Sequence, residues 1–294
     1  MPGMLDSGDL KKPSRRRFLK SASTLAGGLV FGGGFPHILK LARRPNILFI
    51  CIDTLRRDRT GCVGGDISFT PFIDGLAENG LAFADAVAAS SWTKPSVASA
   101  LTGLHPEVHR VQDWDSALSG EILRVNDIMA AAGYRTFCVQ TNPWLGAEKL
   151  GFETGYDVFR YLPFEKRPSW KAGEEIETFA GALSVTKQAV GTVHEMRRSE
   201  SWFGYIHYMD PHNPWLPPWN FHAAVPLIDY EENTIEPFNA HGDLLGPGLP
   251  DAVQRNNVRR NYNACVHYVD AMIRDLFRQF AKVSILDNTV VFIF

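Results

Sequence analysis

Mainly apolar runs alternate along this chain with stretches whose apolar residues recur at helical spacing. Such runs are typical of strands that are buried on both faces of a parallel sheet. They predict strands at Ile47–Ile52, Thr136–Gln140, Trp202–His207 and Thr289–Phe294. Helical spacing predicts helices at Thr70–Asn79, Pro95–Thr102, Glu121–Ala132, Gly173–Arg198 and Val253–Lys282. The alternation predicts an α/β fold, with a mostly parallel sheet and helices on both faces.

An acidic residue, Asp53, directly follows the first predicted strand. In open α/β sheets, ligands bind outside the carboxyl ends of the strands. A carboxylate at this place is therefore a candidate metal ligand. The alternative is that Asp53 only caps the following turn.

The segment SWTKPSVASALTG, which ends at Gly103, predicts a short helix of small residues. Pro95 suits the start of this helix and Gly103 suits its end. Thr93 precedes the first turn, where free N–H groups and the helix dipole attract an anion. Thr93 is either a nucleophile there or an ordinary N-cap residue. Lys94 either faces a substrate anion or is a solvated lysine of the first turn.

A third polar cluster, HYMDPHNPW, follows the predicted strand at Trp202–His207. Proline residues restrict the conformation of such a loop. Histidine at the end of a strand suits anion contact or proton transfer, which makes His207 and His212 candidate catalytic residues.

These three segments together resemble the sulfatase family of the alkaline phosphatase superfamily. The resemblance runs in order from about Pro45 to Phe294 and includes Thr70–Ala77, Gly133–Thr136, Asn142–Gly146, Tyr262–Asp270 and Asp287–Phe294. It implies an alkaline phosphatase-like domain at 45–294. It also implies a divalent ion (Zn, Mn or Ca) held by Asp53, Thr93 and a later Asp-His pair.

The nucleophile segment departs from the pattern of the family. Sulfatases carry Cys or Ser in a Cys/Ser-x-Pro-x-Arg signature, and that residue is converted to formylglycine. Here Thr93 and Val97 stand at the first and last positions of the signature. We therefore interpret Thr93 as an unmodified alkoxide nucleophile, as in family members that resemble phosphotransferases and phosphate or phosphonate diesterases. Asn142, near the place of a sulfatase lysine, is a predicted substrate-binding residue.

The resemblance implies that Thr93 attacks the phosphorus or sulfur of an anionic ester. His212, together with His207, would contact the ester or assist the leaving group. The expected substrate is an anionic small-molecule, glycan or lipid ester, and Thr93 favours a phosphate or phosphonate ester. The alternatives are a sulfuric ester hydrolase and a catalytically decayed homologue that binds anions.

In this family the later Asp-His pair follows the strand that resembles 289–294. We therefore expect the remaining metal ligands beyond Phe294 and interpret the chain as the N-terminal part of a longer domain, truncated at its C-terminus. A chain that lacks these ligands is expected to bind metal weakly and to turn over slowly.

The chain has 294 residues, of which 45% are hydrophobic and 21% are charged, as expected for one globular domain. Its formal net charge of −2 gives no indication of nucleic-acid binding. The segment SRRRFLK at Ser14–Lys20 matches the twin-arginine export pattern, and a modestly apolar run follows it. Residues 1–40 are therefore a predicted signal for the twin-arginine machinery, or a weak membrane anchor if they are retained. The predicted location is periplasmic or otherwise extracytoplasmic.

Overall fold

The computed structural model describes residues 44–65, 68–146, 150–168, 175–196, 201–225 and 252–294. The strands are β1 Asn46–Ile52, β2 Arg135–Gln140, β3 Val158–Tyr161, β4 Glu165–Pro168, β5 Glu175–Thr178, β6 Trp202–Tyr208 and β7 Thr289–Ile293. The helices are α1 Pro71–Ala77, α2 Thr93–Thr102, α3 Pro106–His109, α4 Val125–Ala131, α5 Pro143–Gly146, α6 Ala182–Glu195, α7 Trp219–Ala224 and α8 Ala252–Lys282.

Five strands form one parallel sheet in the order β3-β2-β6-β1-β7. β1 lies between β6 and β7, with Cys51 opposite His207 and Ile50 opposite Ile293. Because all five strands point the same way, their carboxyl ends meet at one edge. The α/β fold with a parallel sheet is confirmed.

The two faces of the sheet carry separate hydrophobic clusters, because side chains alternate along each strand. On one face, Leu48 and Ile50 of β1 pack with residues of α6 and α8, including Val185 and Ile273. On the other face, side chains of β1, β2 and β6 pack with residues of α2. The prediction of helices on both faces is therefore correct, and α2 is fixed to the sheet by its own apolar side.

The predicted strands at 47–52, 136–140, 202–207 and 289–294 correspond to β1, β2, β6 and β7. The predicted helix at 253–282 corresponds to α8, and those at 70–79 and 121–132 correspond to the shorter α1 and α4. The predicted helix at 173–198 is wrong at its start, because Glu175–Thr178 form β5, which pairs antiparallel with β4. The helix begins only at Ala182, and residues 173–174 and 197–198 lie outside the described residues. Pairing with β4 determines the conformation there, which local helical spacing cannot reveal.

The predicted signal at residues 1–40 lies outside the described residues, so export and location stay predictions. In the part of the chain that the structure describes, no helix combines the length and the apolar character needed to cross a bilayer.

Candidate functional site

The site begins where β1 and β6 end side by side. The backbone N–H of Asp53 donates to the carbonyl oxygen of Tyr208 at 2.9 Å, which extends the ladder by one residue and fixes Asp53 at the edge of the sheet. The residue is only 6% exposed. The carboxylate is therefore held in a protein environment instead of projecting into solvent.

The turn after Asp53 has a strained backbone and is held by hydrogen bonds from α8. Thr54 has a φ of 55°, which is uncommon for a β-branched residue and costs about 1–3 kcal/mol. The hydroxyl of Tyr262, from α8, donates to the Thr54 carbonyl at 2.8 Å and accepts from the Arg56 N–H at 2.8 Å. Tyr262 of α8 thus fixes the turn that follows Asp53.

The hydroxyl of Thr93 faces this carboxylate. Thr93 Oγ1 donates to Asp53 and lies 2.9 Å from Oδ2 and 3.2 Å from Oδ1. Trp92 is the N-cap residue, so Thr93 opens α2 and the ordinary N-cap interpretation of Thr93 is wrong. The expected helix start at Pro95 is also too late by two residues; proline is tolerated there because first-turn N–H groups have no intrahelical partner. Gly103 ends the helix with φ 70°, as predicted.

The charge on Asp53 is stabilised by its neighbours. Burial alone would raise the pKa of Asp53, but the hydrogen bond and charge of His207, the charge of His212 and the Thr93 hydroxyl lower it below its ordinary value. Asp53 is therefore ionised at neutral pH, and both histidines lie close enough to contribute to its field.

His207 lies behind Asp53 and away from solvent. Its Nε2 is 3.0 Å from Asp53 Oδ2, its Nδ1 is 2.8 Å from the Tyr205 hydroxyl, and the residue is 0% exposed. Burial lowers the pKa of His207, but the adjoining Cys51 and the bond to Asp53 outweigh burial and raise it to about 10. Both ring nitrogens are engaged inside the protein and orient Asp53, and the expected contact of His207 with the ester stays a prediction.

Asn142 lies two residues after the end of β2, and its side chain contacts the Asp53 carboxylate. Its Nδ2 is 3.4 Å from Asp53 Oδ2, and its Oδ1 accepts from the Trp144 N–H at 2.8 Å. The amide thus joins β2 to the end of β1. Asn142 is 1% exposed, and its predicted contact with substrate stays a prediction.

Lys94 is buried, so the alternative of a solvated first-turn lysine is wrong. The residue is 0% exposed, and its Nζ donates to the carbonyl oxygens of Asp113 at 3.1 Å and Trp114 at 2.6 Å. Burial is the main cause that lowers the pKa of Lys94. The ammonium fixes a loop to the start of α2, and its predicted contact with a substrate anion stays a prediction.

His212 lies in the loop after β6, and the ion pair between Arg167 and Asp210 fixes this loop. Its ring packs edge-on against Phe179, with centroids 6.4 Å apart, and its Nδ1 is 2.7 Å from the Asn213 carbonyl oxygen. Two residues earlier, Asp210 Oδ1 accepts from Arg167 of β4 at 2.6 Å. Arg167 also donates to the Leu216 carbonyl at 3.3 Å, so it bridges both ends of the loop.

Two residues at the site, Arg167 and Tyr205, are not among those predicted from the sequence. Arg167 lies in a four-residue strand whose partner β5 was predicted as helix, so no pattern indicated that it is buried. Tyr205 lies two residues before His207 in β6, and side chains two apart share a face of a strand. That spacing was the available signal for Tyr205.

The oxygen donors at the site suit a divalent cation. An ionised, buried carboxylate beside a hydroxyl is a hard donor pair that Zn, Mn or Ca accepts. Asp53 and Thr93 thus fit the part of a metal site that was predicted for them. Among the described residues no group of three or more His, Cys, Asp or Glu side chains is placed to hold an ion.

The fold is that of an alkaline phosphatase-like α/β protein. The family model described as Sulfatase matches residues 45–294, and the chain therefore belongs to the sulfatase family. Members of this family are ester hydrolases that typically bind a divalent metal.

Two curated relatives and one solved structure illustrate the similarity. The chain is 25% identical over 300 residues to iduronate 2-sulfatase of Homo sapiens, covering 84% of this chain and 53% of the relative. It is 25% identical over 216 residues to N-acetylglucosamine-6-O-sulfatase of Bacteroides thetaiotaomicron, covering 70% and 37%. Phosphonate monoester hydrolase of Agrobacterium radiobacter superposes with a TM-score of 0.64 at 19% identity, covering 85% and 62%. The chain thus spans about half the length of the human relative and a smaller part of the bacterial one.

Proposed function

We propose that this protein is a metal-dependent hydrolase of sulfuric esters in which the Thr93 hydroxyl is the nucleophile. The observation that carries the proposal is the contact of Thr93 Oγ1 with the ionised Asp53 carboxylate at the start of α2. The names of both curated relatives refer to sulfated sugars, which supports sulfate as the transferred group.

The residues of the site divide the work of such a reaction. Asp53 accepts the hydrogen bond of Thr93, which leaves lone pairs on Oγ1 to attack sulfur. Attack forms the Oγ1–S bond and breaks the bond from sulfur to the ester oxygen, while the hydroxyl proton passes to the Asp53 carboxylate that accepts its hydrogen bond and from there to solvent. The leaving alcohol takes a proton, and His212, in the adjacent loop, is the donor that we propose. The first-turn N–H groups of α2 stabilise the developing oxyanion.

Water completes the cycle by hydrolysing the ester on Thr93, which releases sulfate and restores the hydroxyl. His207 and Tyr205 keep the Asp53 carboxylate oriented throughout, because they are buried behind it. Asp53 and Thr93 would hold a divalent cation, which would supply positive charge that favours ionisation of the hydroxyl.

Phosphate and phosphonate esters are the second candidate substrate class. The observation that favours them is Thr93 itself, because threonine stands where sulfatases carry a residue that becomes formylglycine. An unmodified hydroxyl can transfer a phosphoryl group through the same geometry.

A panel of esters separates the two classes. Purified protein is assayed against an aryl sulfate, an aryl phosphodiester and an aryl phosphonate, with added Zn, Mn or Ca and after chelation. The proposal expects the highest kcat/KM for the sulfate, with loss of turnover on chelation and recovery on adding metal back. A higher kcat/KM for the phosphorus esters would mean that phosphate or phosphonate esters are the substrates and would overturn the assignment to sulfuric esters. Turnover that survives both chelation and Asp53→Asn would contradict the role of the carboxylate in either case.

A further inference from the structure

Three tryptophan rings pack against one another at tilted angles beside the N-terminal end of α2, where Thr93 lies. The rings of Trp92 and Trp114 have centroids 4.8 Å apart at 49°, and those of Trp114 and Trp144 are 4.6 Å apart at 53°. Trp114 is 58% exposed and Trp144 is 42% exposed. These three residues are called the tryptophan platform below.

Each residue of the tryptophan platform adjoins or contacts a residue of the site through its backbone. Trp92 directly precedes Thr93 as the N-cap residue of α2. The Trp144 N–H donates to Asn142, whose amide contacts Asp53. The Trp114 carbonyl accepts from Lys94, the residue after Thr93. The backbones of the three tryptophans are therefore held against the segments that carry Thr93 and Asp53.

The rings of Trp114 and Trp144 present a group of exposed aromatic surface. Large exposed aromatic surface is unfavourable in water and marks binding sites when it is grouped. Indole rings are large and rigid, and they bind ligands with little loss of conformational freedom. The grouping of exposed rings next to Thr93 therefore indicates a subsite for the organic part of a substrate.

The polar neighbours of the tryptophan platform indicate which ligand it takes. Asp113 and Asp115 flank Trp114, and both are exposed. Carboxylates accept hydrogen bonds from hydroxyl groups and repel anions. A sugar ring offers an apolar C–H face for indole and hydroxyls at its rim, whereas an alkyl chain offers no hydroxyl. The anionic group of the same ligand would be directed away from the acidic residues, toward the start of α2.

We propose that the tryptophan platform binds the uncharged face of a sugar ring, with Trp114 as its central contact. The identity of that sugar as the ester-bearing substrate rests on the proposed function. Binding of the ring itself does not depend on hydrolysis, so the two are tested separately.

Calorimetric titration with the unsulfated trisaccharide of N-acetylglucosamine, and separately with inorganic sulfate, tests the proposal. Trp114→Ala is expected to weaken trisaccharide binding by about tenfold and to leave sulfate binding unchanged. The matched control is Trp219→Ala, because Trp219 is 66% exposed but lies on α7, stacked on His222. This control is expected to bind both probes like the wild type.

Equal trisaccharide binding by Trp114→Ala and wild type would overturn the proposal. Loss of both probes in Trp114→Ala would also overturn it, since Trp114 would then act through the fold. Binding of dodecyl sulfate through Trp114 without trisaccharide binding would assign the tryptophan platform to a lipid tail instead. Trisaccharide binding through Trp114 in a protein that cleaves no sulfate ester would sustain the subsite while refuting the proposed function.

Discussion

Replacing Thr93 by alanine is expected to lower kcat by about 10⁴-fold or more, as loss of the nucleophile does in hydrolases that form a covalent intermediate. The fold should persist, because the change removes one hydroxyl whose hydrogen bond contributes about 1 kcal/mol to stability. Steady-state kinetics on the best ester of the panel, together with denaturant unfolding, measures both effects.

Two variants make the Thr93→Ala result specific. Thr93→Ser keeps a hydroxyl at the same place and should retain much of the turnover. Thr102→Ala removes a hydroxyl from the other end of α2, where it donates to the Ala98 carbonyl at 2.7 Å, and should leave kcat near the wild-type value. Turnover by Thr93→Ala at the level of Thr102→Ala would exclude Thr93 as the nucleophile.

Replacing Arg167 by methionine is expected to lower the free energy of unfolding by about 3–5 kcal/mol near neutral pH, because it leaves a buried charge unpaired. Asp210 is 1% exposed and its carboxylate is bound to Arg167. Burial raises the pKa of Asp210 and Arg167 opposes that rise. Conversely, burial lowers the pKa of Arg167, but Asp210 outweighs burial and raises it, so the pair favours the cation.

The pH dependence of this loss has a definite sign. Without Arg167, the pKa of Asp210 is higher in the folded protein than in the unfolded chain. The free-energy cost of burying the charged carboxylate is therefore present at pH values above the folded pKa. The cost disappears as pH falls toward the ordinary value, because the folded carboxyl is then protonated and neutral. Urea unfolding at neutral and acidic pH should therefore show a destabilisation that shrinks with acid.

Arg160→Met is the matched control, since Arg160 pairs with Glu195 at 3.5 Å while its side chain is 46% exposed. Exposed pairs of this kind contribute about 0–1 kcal/mol. The double variant Arg167→Met, Asp210→Leu should regain much of the lost stability, because no unpaired charge remains. An Arg167→Met loss as small as that of Arg160→Met would mean that the buried pair does not fix the His212 loop.

The centre of the sheet could be predicted because β1 and β6 are mainly apolar runs of seven residues, and burial on both faces requires such runs. The place of Asp53 followed from the same logic, since parallel strands bring their carboxyl ends together. Its contact with Thr93 was expected from the family resemblance, and the structure shows the two side chains within hydrogen-bonding distance.

Other parts of the site could not be predicted, because they depend on long-range contacts. A lysine is mostly exposed by residue type, and only the carbonyls of Asp113 and Trp114, folded back from another loop, make burial of Lys94 tolerable. Four-residue strands such as β4 carry too little pattern to be recognised, which concealed Arg167. The ring contacts of Trp92, Trp114 and Trp144 likewise join three separate segments.

Rapid-quench mass spectrometry of the peptide that contains Thr93 tests the central claim most directly. Purified protein is mixed with the ester of highest kcat/KM from the panel, quenched within the first turnover and digested. The account predicts that Thr93 transiently gains the mass of the transferred sulfuryl or phosphoryl group and that the Thr93→Ala peptide never does. Turnover during which Thr93 stays unmodified, or an adduct on a different residue, would contradict it.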